Sequence, residues 1–204
     1  MSFRFLFVAA VQIDLGFLVE GSKNVLETEF TQYMEIVKYI YSAFPISPEN
    51  VRVGLAVISS NPEIIFSFDK YFDKPSLDSA VNSVEYRGIQ QVANIGQGLL
   101  VAKETFFDKG ARKGTRKVLI LLVKGKSNDE ISEPARRLRD SSVEIFCFAP
   151  GSRVDVQELT EIATRPTNNH MVIENESLPM GAKKLIEMLE IAKVESGNLL
   201  QSKP

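Results

Sequence analysis

The sequence has very little cysteine and histidine: its 204 residues include one of each, Cys147 and His170, and no tryptophan. A single cysteine cannot form a disulfide within the chain, and it is too few for the smallest thiolate zinc site. One histidine leaves few ways to activate a nucleophile, so an enzyme of the serine or cysteine type is not expected. We expect both residues to have structural roles and packing to hold the fold together.

The sequence also lacks an excess of charge of either sign. Twenty-four Lys and Arg balance 26 Asp and Glu, which gives a formal net charge of -2. Such a chain has no global field to attract a phosphate backbone, so nucleic acid is not an expected partner. No apolar run approaches the roughly 20 residues that cross a bilayer, and no Gly-x-x-x-x-Gly-Lys-Ser/Thr phosphate loop is present, since Gly125-Lys126-Ser127 has Ile120 in place of the first glycine. Membrane-spanning and nucleotide-binding classes are therefore disfavoured.

The first residues form a short apolar segment. Arg4 precedes the run 5–11, which is similar to the core and small-residue end of a signal peptide. Signal peptides usually have about 15 residues or more, so this segment is short for one. We treat residues 1–13 as an N-terminal extension that is either a signal-peptide remnant or an end of the chain without that role.

Strand-like and helix-like segments alternate along the whole sequence, which is typical of an α/β fold with a mostly parallel sheet. The run 118–123 is apolar without alternation, so helices should cover both faces of that strand. The predicted strands are 14–19, 51–58, 64–68, 117–123, 143–148 and 170–173. The predicted helices are 26–44, 75–84, 97–107, 129–139, 155–163 and 178–193.

The connection between the second and third predicted strands fixes much of the topology. It contains only residues 59–62, Ser-Ser-Asn-Pro, which is too short for a helical crossover and predicts an antiparallel hairpin with the third strand at an edge. Placing the fourth strand beside the first gives a doubly wound, Rossmann-like sheet of six strands in the order 3-2-1-4-5-6. Ligands of such sheets bind where strand order reverses, here after strands one and four. The candidate site therefore comprises 20–24 and 124–127.

Four separated motifs resemble the von Willebrand factor type A domain of extracellular-matrix proteins such as the matrilins and collagen VI. They are DLGFLVEGS at 14–22, VRVGLA at 51–56, KVLILL at 117–122 and VEIF at 143–146, in the family's order. The resemblance implies one domain at 14–193, and the lack of an apolar period beyond it predicts a flexible tail at 194–204. It further implies a secreted, non-enzymatic module of the extracellular matrix that binds other matrix or cell-surface proteins, with collagen-like proteins among the candidates.

The resemblance also implies a magnesium site, the metal-ion-dependent adhesion site, from which this sequence departs. The family's Asp-x-Ser-x-Ser reads Glu20, Ser22 and Asn24, its threonine falls on Ala93, and its aspartate after the fourth strand falls on Lys124. Magnesium needs near-octahedral oxygen coordination, and the charges of Glu20 and Lys124 already cancel. We therefore expect a degenerate site with no metal and no cofactor, whose face remains the candidate binding surface.

Two interpretations of Glu20 and Lys124 remain open. In the favoured one, the Lys124 ammonium takes the place of the metal and bridges to the Glu20 carboxylate. In the other, the two residues are separate solvated charges at a pocket that no longer has a binding function.

A basic run before the fourth predicted strand is a further candidate site. It consists of Lys109, Arg112, Lys113, Arg116 and Lys117. Such runs bind sulfated polysaccharides, although a solvated loop is their commoner meaning. The alternative function is therefore a metal-independent scaffold domain that binds through its helical flank or through a glycosaminoglycan at this loop.

Overall fold

The computed structural model describes residues 12–88, 91–150, 154–174 and 178–201, and the prediction for the N-terminal extension lies almost entirely outside these residues. Six strands form one sheet in the order β3-β2-β1-β4-β5-β6. Only the β2–β3 pair is antiparallel. The predicted strand order and the predicted hairpin are therefore confirmed. The strands are β1 Ile13–Glu20, β2 Val51–Ile58, β3 Glu63–Phe66, β4 Arg116–Leu122, β5 Val143–Pro150 and β6 Met171–Glu174.

Helices cover both faces of the sheet. They are α1 Glu27–Ser42, α2 Lys74–Asn82, α3 Ile95–Ala102, α4 Ser132–Asp140, α5 Val156–Ile162 and α6 Leu178–Gln201. Helices α1, α2 and α6 enclose one apolar core, and α3, α4 and α5 enclose the other. All eight residues of β1 are buried because this strand lies in the middle of the sheet with both faces covered. No helix within the described ranges is long and apolar enough to cross a membrane.

Helix α1 follows from its apolar spacing. Phe30, Tyr33, Val37 and Ile40 recur at intervals of three and four residues, and all four are buried against the sheet. The Glu29 carboxylate accepts the backbone N–H of Leu26 at 2.8 Å and so satisfies one of the free donors at the start of the helix. The predicted helix 26–44 is therefore confirmed with slightly shorter bounds.

A pair of glycines lets an aromatic side chain lie against the centre of the sheet. Gly16 of β1 and Gly54 of β2 are register partners. A Cβ at Gly54 would lie 2.9 Å from the Phe106 ring, and one at Gly16 would lie 3.0 Å from it. Phe106 belongs to a π-helical stretch, Lys103–Gly110, that directly follows α3. The sequence predicted one helix at 97–107 and did not indicate this change of helix type.

Other predicted elements differ from the structure at their ends, and β3 and α6 are two examples. Strand β3 is Glu63–Phe66, whereas the prediction was 64–68. Helix α6 continues to Gln201 and therefore includes most of the segment predicted as a tail at 194–204. The prediction stopped at residue 193 because the residues beyond it show no apolar period, and a helix can extend past its last packed turn when no Pro or Gly cap ends it.

Candidate functional site

The candidate site lies at the carboxyl ends of β1 and β4, where strand order reverses. Glu20 is the last residue of β1, and Lys124 and Gly125 follow β4 by two and three residues. Because the two strands are parallel neighbours, their ends meet at one edge of the sheet. The structure thus brings Glu20, Ser22, Asn24 and Lys124 together, as the sequence predicted.

The Glu20 carboxylate is fully buried and accepts four hydrogen bonds from the chain itself. Its Oε1 accepts the Ser22 hydroxyl at 2.6 Å and the Asn24 side-chain amide at 2.9 Å. Its Oε2 accepts the backbone N–H groups of Lys124 at 2.7 Å and Gly125 at 3.0 Å. Four donors at these distances satisfy a carboxylate without a metal ion.

Close approach of two loops makes this arrangement possible. A Cβ at Gly125 would lie 2.1 Å from the Asn24 side-chain nitrogen, so only glycine leaves room for Asn24 to reach Glu20. On the other side, the Tyr86 hydroxyl donates to the Val25 carbonyl at 2.7 Å and fastens the loop after β1. The oxygen and nitrogen atoms of Ser22 and Asn24 are thereby directed at Glu20.

The favoured interpretation of Lys124 is wrong in one respect. Its backbone N–H donates to Glu20, but its ammonium forms an ion pair with Glu29 in the first turn of α1. A lysine side chain reaches several ångströms beyond its backbone, so the sequence alone did not identify which carboxylate would meet the ammonium. The second interpretation, in which Glu20 and Lys124 are separate solvated charges, is also wrong, because Glu20 is fully buried and the Lys124 side chain is 16% exposed and paired with Glu29.

Ala93 lies in the loop before α3 and is buried, with no side-chain oxygen or nitrogen. Its carbonyl accepts the backbone N–H of Asn128 at 2.7 Å, which joins this loop to the one that follows β4. Two residues further on, Ile95 at the start of α3 donates its N–H to the Ser127 hydroxyl at 3.0 Å. The position therefore contributes a backbone link between loops and no side-chain ligand.

Tyr33 is a site residue that the sequence analysis missed. Its hydroxyl is buried and has no hydrogen-bond partner among the described residues. Burial raises the pKa of this hydroxyl, and the negative charges of Glu20 and Glu29 raise it further. The hydroxyl therefore stays protonated beneath the two carboxylates. The apolar periodicity of α1 identified Tyr33 only as a core residue.

A second polar group, also missed, lies beside the site after β4. The Asp129 carboxylate accepts the N–H groups of Gly96 at 2.9 Å and Gln97 at 2.8 Å, so it caps the start of α3. The Glu158 carboxylate accepts the Ser127 N–H at 2.9 Å. The sequence signal for this group was a set of carboxylates at the starts of two predicted helices, at 129 and 155.

The basic run does not present five free cations. Arg112 and Arg116 are engaged inside the molecule: Arg112 with buried Asp14, and Arg116 with Glu144 at 2.7 Å and the Leu189 carbonyl at 2.8 Å. Lys109 pairs with Glu104, and the Lys117 ammonium lies 3.2 Å from the Ser141 carbonyl. Within the described residues, Lys113 alone of the five has no such partner. The two arginines therefore stabilise the amino ends of the central strands.

Cys147 and His170 are both buried. Burial raises the pKa of the Cys147 thiol, so it stays protonated and unreactive. His170 packs on the Phe146 ring with 4.6 Å between ring centroids, and its Nδ1 lies 3.0 Å from the Pro166 carbonyl oxygen. These contacts agree with the structural roles that the sequence analysis assigned to them.

A sequence model described as the von Willebrand factor type A domain matches residues 14–185 of this chain. Von Willebrand factor A domain-containing protein 1 of Rattus norvegicus is 33% identical over 180 residues, which are 87% of this chain and 43% of that protein. Matrilin-1 of Homo sapiens is 29% identical over 157 residues, 77% of this chain and 32% of that protein. The chain thus spans less than half the length of these relatives.

Solved structures of other proteins have the same fold. Proximal thread matrix protein 1 from the mussel byssus, solved with a zinc-occupied MIDAS motif, superposes with a TM-score of 0.80 at 21% identity. The superposition covers 88% of this chain and 46% of that one. The mussel protein and the two sequence relatives do not have enzyme names, which agrees with the prediction of a non-enzymatic matrix-type domain. The chain belongs to the von Willebrand factor type A domain family.

Proposed function

We propose that this chain is an interaction module of the extracellular matrix that binds its partner without a metal ion. The observation that supports this most directly is the state of Glu20, whose two oxygens accept four hydrogen bonds from the chain's own donors. Ser22 and Asn24, which occupy two positions of the family's metal motif, are turned towards that carboxylate. The chain thereby stabilises the end of β1 with internal hydrogen bonds.

The donor set at this site does not fit magnesium. A bound ion would need oxygens from Glu20 and Ser22 that are already engaged, and Ala93 offers none from its side chain. No group of three His, Cys, Asp or Glu residues within the described ranges is arranged to hold a metal ion. Lys124 stands where the family has an aspartate, and its ammonium, which pairs with Glu29, offers no oxygen to a metal ion.

The relatives support the proposed partner class. Matrilin-1 and a collagen alpha-1(XX) chain of Mus musculus, 29% identical over 153 residues that are 75% of this chain and 12% of that one, are matrix proteins by name. We propose that this chain is secreted and acts in the same setting, with matrix or cell-surface proteins as partners and collagen-like proteins among them. The proposed contact surface is the site face, at which Asn24 and Lys124 are partly exposed over the buried residues Glu20, Ser22 and Ala93.

A solid-phase binding assay tests this function. The chain is immobilised and exposed to fibrillar collagen and to an extracellular-matrix extract, in excess magnesium and in EDTA. We expect saturable binding that is equal in the two buffers and is lowered by Lys124→Glu, which reverses the charge paired with Glu29. The control is Lys183→Glu, an exposed residue of α6. Binding that EDTA abolishes would contradict the metal-free mechanism, and no binding in either buffer would contradict the interaction module.

A further inference from the structure

The hydroxyl of Tyr33, on α1, is a buried polar group that the chain itself does not satisfy. The residue is 1% exposed, and its hydroxyl has no hydrogen-bond partner among the described residues. Nearly all buried polar groups in proteins have a partner, either in the protein or in an ordered water molecule. A buried hydroxyl without a partner lowers the stability of the fold. A small molecule bound at this hydroxyl would therefore stabilise the protein.

The surroundings of Tyr33 determine what the hydroxyl binds. Tyr33 and Glu29 lie one turn apart on the same face of α1, and Glu20 ends the neighbouring strand β1. Burial raises the pKa of the hydroxyl, and the negative charges of the two carboxylates raise it further, so it keeps its proton. The hydroxyl nevertheless donates directly to neither carboxylate. A molecule bound here must accept its hydrogen.

The two carboxylates differ in their capacity for a further donor. The Glu20 carboxylate already accepts four hydrogen bonds from the chain, two at each oxygen. A carboxylate has about four acceptor positions, so Glu20 is saturated. The Glu29 carboxylate accepts the Leu26 N–H at 2.8 Å and pairs with the Lys124 ammonium. Glu29 is therefore the better acceptor for a hydrogen from a molecule beside Tyr33.

We propose that one water molecule is bound between the Tyr33 hydroxyl and the Glu29 carboxylate. Water accepts the hydrogen of Tyr33 and donates one of its own to Glu29, which connects two polar groups that form no direct hydrogen bond. Buried waters typically hold such positions and satisfy groups that would otherwise have no partner. Because Tyr33 is 1% exposed, only a molecule of this size reaches its hydroxyl.

The charges favour a neutral molecule over a cation. The Lys124 ammonium already neutralises Glu29, and the donors around Glu20 satisfy its charge. The water extends the hydrogen-bond network of the site face into the core beneath α1, from Lys124 through Glu29 to Tyr33. It is independent of the proposed function, because neither of its two partners needs a metal ion or a protein partner to hold it.

Oxygen-17 relaxation dispersion of the solvent tests the proposal. The signal reports water molecules that stay bound for longer than the protein takes to tumble, and labile protein hydrogens do not contribute to it. Parent and Tyr33→Phe are compared in EDTA, and we expect the variant to lose the signal of about one long-lived water, out of roughly one per 27 residues in globular proteins. The matched control is Tyr39→Phe, at a tyrosine of α1 that is 47% exposed, which should retain the full signal.

Urea unfolding of the same variants is a second readout, and its sign is diagnostic. Tyr33→Phe keeps the buried ring, so the variant should fold. If the hydroxyl had no partner, its removal would stabilise the protein, whereas removal of one partner of a bound water destabilises it. We expect the unfolding equilibrium constant of Tyr33→Phe to rise by about fivefold, as for the loss of one hydrogen bond. That of Tyr39→Phe should stay at the parent value.

Three outcomes would overturn the proposal. The first is an oxygen-17 signal that is equal in Tyr33→Phe and the parent, and the second is a Tyr33→Phe variant that is more stable than the parent. The third is a parent that is more stable in sodium chloride than in tetramethylammonium chloride of equal concentration while Tyr33→Phe is not, which would assign the position to a cation. EDTA-sensitive partner binding in the solid-phase assay bears on the proposed function and leaves the water untouched.

Discussion

At Glu20 the chain places a charged side chain in a fully buried position and surrounds it with donors. Two donors are side chains of the following loop, and two are backbone N–H groups beyond β4. The carboxylate therefore joins the ends of the two central strands. The sequence indicated the position of Glu20 and its neighbours, because the strand order places them together. It did not indicate the partner of the Lys124 ammonium, because that depends on the conformation of a long, flexible side chain.

Replacing Glu20 by glutamine tests this joining role at the residue scale. The side chain keeps its size, but one acceptor oxygen becomes an NH₂ donor that faces other donors. We expect Glu20→Gln to lower the free energy of unfolding by about 2–4 kcal/mol, since buried donors lose a charged acceptor. Urea unfolding followed by circular dichroism measures the change. Glu27→Gln, at an exposed position in the first turn of α1, is the matched control. A loss for Glu20→Gln no larger than that of the control would contradict the account.

At the scale of elements, the amino ends of the central strands are held by a second buried carboxylate. Asp14 of β1 pairs with Arg52 of β2 at 2.8 Å and with Arg112 of the loop before β4 at 2.9 Å. Arg112 also donates to the carbonyls of Pro48 at 2.7 Å and Asn50 at 2.8 Å. Arg112 thus joins the loop before β4 to the start of β1 and to the segment before β2. It is a structural residue, although its neighbours in sequence suggested a polyanion site.

We expect Arg112→Ala to destabilise the fold by about 2–4 kcal/mol, because the substitution removes one of two partners from a buried carboxylate and leaves carbonyl groups without a donor. The adjacent change Lys113→Ala should alter stability by less than about 0.5 kcal/mol, as is usual for surface residues. Thermal and urea unfolding of the two variants measure this contrast. Equal effects of the two substitutions would show that the internal contacts of Arg112 do not stabilise the protein.

Most of the fold at this scale was predictable, and the exceptions have physical causes. The order of strands followed from one short turn and from the apolar run of β4, which are strong local signals. The π-helical stretch Lys103–Gly110 was not predictable from apolar spacing, and the packing of its Phe106 on Gly16 and Gly54 joins residues far apart in the sequence. The internal ion pairs of the basic run were not predicted for a similar reason. Sequence shows that Arg112 and Arg116 are close together, but only the fold brings Asp14 and Glu144 to them.

At the scale of the whole molecule, a nearly neutral chain has an uneven distribution of charge. The net charge of -2 gives the chain no overall attraction for a charged partner, whereas a hollow between the loop after β4 and the start of α5 is lined by five carboxylates and one lysine. The structural relative from the mussel byssus has zinc in its MIDAS motif. This chain, with Lys124 and Ala93 at two positions of that motif, is proposed to keep the fold and to stabilise the site internally.

The measurement that tests this most directly is the melting temperature in magnesium, manganese or calcium at millimolar concentration, each compared with EDTA. A ligand that does not bind the native state cannot shift its stability, so we predict that the melting curves coincide. A positive control is the variant with Glu20→Asp, Asn24→Ser, Ala93→Thr and Lys124→Asp, which recreates the family's ligand set and should gain stability when metal is added. A reproducible rise in the melting temperature of the unmodified chain, reversed by EDTA, would contradict the metal-free account.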